Sequence, residues 1–115
     1  MKRYIAMAAL LIGGLATAQQ NKPVLEEVNG MVKVTYYYEN GKVQQEGFYK
    51  EGKLEGKWIS YDENGNKTAI AEYTDGNKTG KWFFWSDKNL SEVDYTQGAI
   101  AEVKVWNREA LAGKN

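Results

Sequence analysis

The chain has no cysteine and no histidine, and only one proline, Pro23. Without cysteine there are no disulfide staples, no thiol nucleophile and no attachment point for a lipid on an N-terminal cysteine. Without histidine there is no Ser-His pair and no imidazole ligand, which excludes a zinc site of ordinary composition. An excess of one charge is missing too: 15 Lys and Arg balance 15 Asp and Glu. That balance offers no general attraction to nucleic acid or to anionic lipid. Glycine and aromatic residues are plentiful, with 12 Gly, 4 Trp, 8 Tyr and 3 Phe. Stability in such a chain has to come from the packing of a sheet.

The one long apolar stretch lies at the start. Lys2 and Arg3 precede an apolar run, Ile5 to Leu15, and Ala16-Thr17-Ala18 is a small-x-small cleavage site. This order of regions predicts a secretory signal peptide over residues 1–18. The run is too short to span a bilayer, and nothing after it approaches the roughly 18 apolar residues of a spanning helix. The expected location is therefore outside the cytoplasm, periplasmic or secreted, and not as a lipoprotein. Beyond the cleavage site, 13 basic residues face 15 acidic ones.

Residues 19–30 read as a polar lead-in, with Pro23 arguing against regular structure there. From Met31 a pattern sets in. Gly52 and Gly76, Gly56 and Gly80, Trp58 and Trp82, and Tyr61 and Trp85 are each 24 positions apart, as are Asn40-Gly41 and Asn64-Gly65, and Tyr49 and Tyr73. A fixed period of this length marks a repeat architecture. Runs rich in β-branched and aromatic residues alternate with turn residues, which predicts strands over 31–38, 43–50, 54–62, 67–74, 81–86, 90–96 and 100–106. Asn40-Gly41 and Asn64-Gly65 read as hairpin turns of type I′. The expected fold is all-β: an antiparallel meander of about seven strands over residues 31–106, built from stacked hairpin repeats. Gly41, Gly52, Gly56, Trp58, Gly65, Tyr73, Gly76, Gly80 and Trp82 are its structural repeat positions. Asn107 reads as the N-cap of a short helical turn in a tail over residues 107–115.

At Gly56-Lys57-Trp58, Tyr61, Asn64-Gly65, Glu72-Tyr73, Gly76 and Gly80-Lys81-Trp82 the sequence resembles MORN repeats. The closer likeness is to the bacterial variant found in proteins labelled antitoxin-like. The resemblance extends from about Tyr37 to Gly98, with two good copies. It implies an elongated, twisted sheet of stacked hairpins acting as an interaction scaffold.

Alternation along a strand puts Trp82 and Phe84 on one face and Phe83 and Trp85 on the other. Trp58 likewise opposes Ile59 and Tyr61. One row is expected to form the core. The other, with Tyr61, Phe83 and Trp85, is the candidate interaction surface. Glu46, Glu55, Glu72, Glu92 and Asp94 supply carboxylates for a paired-acid hydrolase, but their many lysine neighbours read as cross-strand ion pairing instead. Asp62 to Asn66 has its glycine at the wrong place for a calcium loop and reads as a turn. The chain is therefore expected to be no enzyme, to need no cofactor or metal and to bind no nucleic acid. Its expected partner is another protein or a second copy of itself. The alternative is a small carbohydrate-binding module using the aromatic row as a stacking platform.

Overall fold

The computed structural model describes residues 22–108. They form one antiparallel meander: β1 Val24–Val28, β2 Met31–Tyr37, β3 Val43–Lys50, β4 Lys53–Tyr61, β5 Lys67–Thr74, β6 Asn77–Lys78, β7 Gly80–Trp85, β8 Asn89–Thr96 and β9 Ala99–Asn107. Neighbours in sequence are neighbours in the sheet, with the two-residue β6 pairing β5 beside β7. The class is as the sequence predicts, all-β and antiparallel, with nine strands rather than seven.

The added strands have plain causes. Pro23 does not prevent β1. It stands just before the strand, where no ladder hydrogen bond is required of it, and Val24 to Val28 pair with Thr35 to Met31. β6 is a fragment cut from β7 by a bulge. Asn107 ends β9, opposite Asn89, and Arg108 after it is helical, the rest of the expected turn lying outside the described residues. The signal peptide and residues 109–115 of the tail lie outside the described residues.

Turns at one end of the hairpins are alike. Asn29-Gly30, Glu51-Gly52, Asp75-Gly76 and Gln97-Gly98 all have positive φ at both residues, 51 to 52° at the first and 79 to 84° at the second. These are the type I′ turns. The turns at Asn40-Gly41 and Asn64-Gly65 differ from the sequence expectation, because only the glycine has positive φ there, 88° and 94°. Gly41 N–H donates to Tyr38 C=O at 3.0 Å and Tyr38 N–H to Lys42 C=O at 2.9 Å; Gly65, Asp62 and Asn66 repeat this at 3.0 and 2.8 Å. Each is an ordinary turn closed by a left-handed glycine. The Asp62 carboxylate selects this geometry at the second turn by accepting the Asn64 and Asn66 N–H groups, both at 2.9 Å.

The Gly-Lys-Trp signature has a mechanical meaning. Between the β3–β4 pairs Phe48–Glu55 and Glu46–Ile59 the register slips by two residues, at Gly56. The same slip occurs at Gly80, between Tyr73–Lys78 and Ile70–Phe83. Two residues past each bulge comes the tryptophan. Trp58 donates its indole N–H to Phe48 C=O at 3.1 Å, and Trp82 donates to Glu72 C=O at 3.1 Å. Each indole thus ties its strand to the preceding one at the point where the ladder is broken.

These indoles form the core. Val34, Tyr49, Leu54, Trp58, Ala69, Ala71, Tyr73 and Trp82 are buried together on one face of the sheet, here the core face. Tyr49 meets Trp58 edge-on at 5.2 Å, and Tyr73 meets Trp82 at 5.2 Å. A second layer is not needed, because the rings lie down over small residues. Gly47 is the sharpest case: a β-carbon there would fall inside the Trp58 indole. The sequence reading missed Gly47, although a lone glycine inside a strand signals close approach of another group.

Gly47→Ala is expected to cost about 3 kcal/mol, since the indole cannot stay in place. Gly65→Ala, strained in φ but with open space around it, should cost about 1 kcal/mol. Urea unfolding midpoints check the order; equal midpoints would show that the indole does not rest on Gly47.

Candidate functional site

The opposite, open face carries the candidate surface. Ladder partners share a face, so the pairs Glu46–Ile59, Ile59–Ile70, Ile70–Phe83 and Phe83–Glu92 draw one row across the sheet. Beside it, Trp85 pairs with Leu90 and Leu90 with Trp106, while Tyr61 pairs with Lys67. All three residues singled out from sequence, Tyr61, Phe83 and Trp85, lie on this face, and all are half-buried rather than exposed. Phe83 and Trp85 are near-parallel, 6.1 Å apart at 29°. Ile70, Leu90 and Trp106 complete the band. They escaped the sequence reading because strand-to-strand register brings them in.

Charged groups rim the band and are largely paired with one another. Lys81 Nζ lies 2.7 Å from Glu92 and 3.5 Å from Asp94. The hydrogen bond that Lys81 donates to Glu92 raises the Lys81 pKa, and Asp94 adds to it. Lys33 Nζ lies 3.9 Å from Glu46, and the Tyr61 hydroxyl donates to Glu46 at 2.8 Å. Glu55 accepts the Asp75 N–H at 2.9 Å. Glu92 and Asp94 therefore converge on a lysine rather than face each other across a cleft, which is poor geometry for an acid–base pair. A notch of about 240 Å³ opens at the far end of the row, lined by Lys33, Glu46, Phe48, Lys57 and Ile59.

The core face is less well covered at its two ends. Near β1 it opens into an apolar groove of about 360 Å³ lined by Pro23, Leu25, Val32, Val34, Tyr36 and Tyr49, among others. At the other end Val103 and Val105 of β9 are exposed. Among the described residues no cluster of three acidic residues could hold a metal ion.

Fold and faces together define a repeat sheet of stacked hairpins with an apolar band across its open face. A family model described as a MORN repeat variant matches residues 32–51 and 54–75. Each match spans one hairpin, β2–β3 and then β4–β5, and ends on the first residue of a type I′ turn. The third hairpin, β7–β8, lies beyond the matches but carries the same ring geometry, with Trp82 against Tyr73 and Tyr95. MORN repeats are in general non-enzymatic repeats for protein and membrane interaction. No curated protein matches the chain.

Several tyrosines are held in their neutral form. Burial, and then the Glu46 hydrogen bond, push the Tyr61 hydroxyl up to about 12. Burial also raises Tyr36, Tyr49 and Tyr73. Between pH 10 and 12 the unfolded chain loses these protons before the folded one, so the unfolded state binds fewer and stability falls as pH rises. Melting temperature should therefore drop through this window while remaining flat from pH 7 to 9. Tyr61→Phe should make the drop shallower and cost about 1 kcal/mol at neutral pH. Thermal melts with tyrosinate absorbance followed in parallel provide the check.

Proposed function

We propose that this chain is an exported, non-catalytic scaffold whose open face binds another polypeptide. The observation that carries this reading is the apolar band of Ile59, Ile70, Phe83, Trp85, Leu90 and Trp106, bordered by charges already paired among themselves. A hydrophobic centre with a polar rim is the anatomy of a protein interface, and aromatic residues are its usual anchors. The band belongs to a one-layer sheet, so no second layer of the described residues lies over it. The matched repeats, which serve in general as interaction modules, support the same reading. Export rests on the order Lys2-Arg3, Ile5 to Leu15 and Ala16-Thr17-Ala18. The near-parallel Phe83 and Trp85 rings favour one second reading, a platform on which a sugar ring stacks.

Affinity capture from the native envelope extract, comparing the wild type with a folded Tyr61→Ala/Trp85→Ala variant, tests the proposal. A polypeptide retained by the wild type should be retained at least tenfold less by the variant. Hydrogen exchange of the complex should show new protection in β4, β5 and β7. Glycan binding quenched at tryptophan, with no polypeptide retained, would replace the scaffold reading with the sugar platform. A chain found only in the cytoplasm, with residue 1 intact, would reject cleavage and export.

A further inference from the structure

The last strand of the sheet reads as half of an interface. β9 is a nine-residue edge strand, Ala99-Ile100-Ala101-Glu102-Val103-Lys104-Val105-Trp106-Asn107. Its large apolar side chains are unusually open, with Ile100, Val103 and Val105 exposed by 60, 54 and 60 %. An open, apolar edge of this length invites pairing with another strand. The question is which strand fits it.

We infer that β9 pairs antiparallel with β9 of a second copy, centred on Val103, to form a two-fold symmetric dimer. Three independent features choose this partner and this register. The first is the regular length of strand. Val103 is the midpoint of β9, and centring there pairs Ala101 to Val105 of each copy, a regular stretch that stops short of the bulge beside Ile100. A centre on Ala101 would put the axis on that bulge.

The second is the direction of the backbone groups. Arg108 N–H donates to Lys88 C=O at 2.7 Å. Antiparallel alternation then turns the backbone groups of Trp106, Lys104 and Glu102 toward β8, and those of Val103 and Val105 outward. A two-fold axis through an outward residue lets Val103 exchange both of its hydrogen bonds with its own copy. The flanking pairs become the closer, non-hydrogen-bonded kind, where side chains interact most strongly.

The third is charge. Those flanking pairs place Glu102 opposite Lys104 of the second copy, and Lys104 opposite its Glu102. Both side chains are about half-exposed, and their charged atoms are 4.0 Å apart within one chain. Centring instead on Glu102 or Lys104 would set two like charges face to face. On the core face, Val103 meets Val103 and Val105 meets Ala101, which extends the apolar surface of β8 and β9 across the axis. Charged residues on an edge normally prevent pairing; here their order around Val103 permits a single register. The inference goes beyond the scaffold reading and does not depend on it, because it uses the sheet edge and needs no other protein.

Sedimentation equilibrium of the purified protein, expressed from its full coding sequence, tests this without any partner present. The wild type should be a monomer–dimer system that dissociates on dilution. Glu102→Lys and Lys104→Glu should each weaken self-association at least tenfold, since each places like charges in both flanking pairs. An equimolar mixture of the two variants should restore the dimer, because every flanking pair in the mixed species is complementary. The chain has no cysteine, so Val103→Cys gives a second readout: mild oxidation should yield a covalent dimer, whereas Leu25→Cys on the opposite edge should not. A wild type that stays monomeric, or grows past a dimer by β1–β9 pairing, overturns the inference. So does a mixture that fails to re-form the dimer, or equal cross-linking at the two edges. Each of these results leaves binding at the open face to be judged on its own.

Discussion

The hydrogen bond from an indole to the carbonyl at a glycine bulge is the contact on which this sheet depends. A one-layer meander has no opposing sheet or helix against which to bury side chains. Here the bulges at Gly56 and Gly80 shift each strand by two residues. The tryptophan that follows spans the gap, with its N–H on Phe48 or Glu72 of the preceding strand. The ring is then pinned flat against the sheet. A flat indole over Gly47, or among Ala69 and Ala71, acts as the missing second layer. Polar satisfaction and apolar burial come from the same side chain, which is why Trp58 and Trp82 are almost fully enclosed.

Because each hairpin's core is completed by a neighbour, the array has open ends. Beside β1 the rings stop and an apolar groove remains; along β9 the aliphatic side chains face solvent. Stacked-repeat proteins commonly close such ends with polar capping units. The two edges here differ in chemistry. β1 is short and acidic in its centre, whereas β9 is long, apolar on the core face and ordered in charge about its midpoint. The open face differs again, with a central aromatic and aliphatic band enclosed by ion pairs. One meander thus offers two distinct surfaces, a face that we propose receives a foreign chain and an edge that we propose pairs with its own copy.

Much of this was legible before the structure. The 24-residue spacing located the hairpins, and alternation assigned Trp58 and Trp82 to one face and Tyr61, Phe83 and Trp85 to the other. Three features were not. Asn40-Gly41 and Asn64-Gly65 do not form the type I′ turns their residues favour, because a one-residue slip in the strands beside them calls for a different closure. β1 looked like a polar lead-in, since Glu26 and Glu27 mask its pairing with β2. Trp106 keeps the 24-residue spacing of Trp58 and Trp82 yet lies on the opposite face. Its hairpin slips by one residue where the earlier two slip by two. An odd slip exchanges the faces of everything that follows.

The sequence by itself determined the fold class, the period and which aromatic residues travel together along a strand. These follow from local rules: turn residues fix where the chain reverses, and a pleat alternates its side chains. Only the tertiary structure decided which face is the core, how far each strand slips past its neighbour and which apolar residues are left uncovered. Those outcomes depend on whether one strand's ring fits over another strand's backbone, as Trp58 does over Gly47. The fit is set by residues distant in sequence, and no local pattern encodes it.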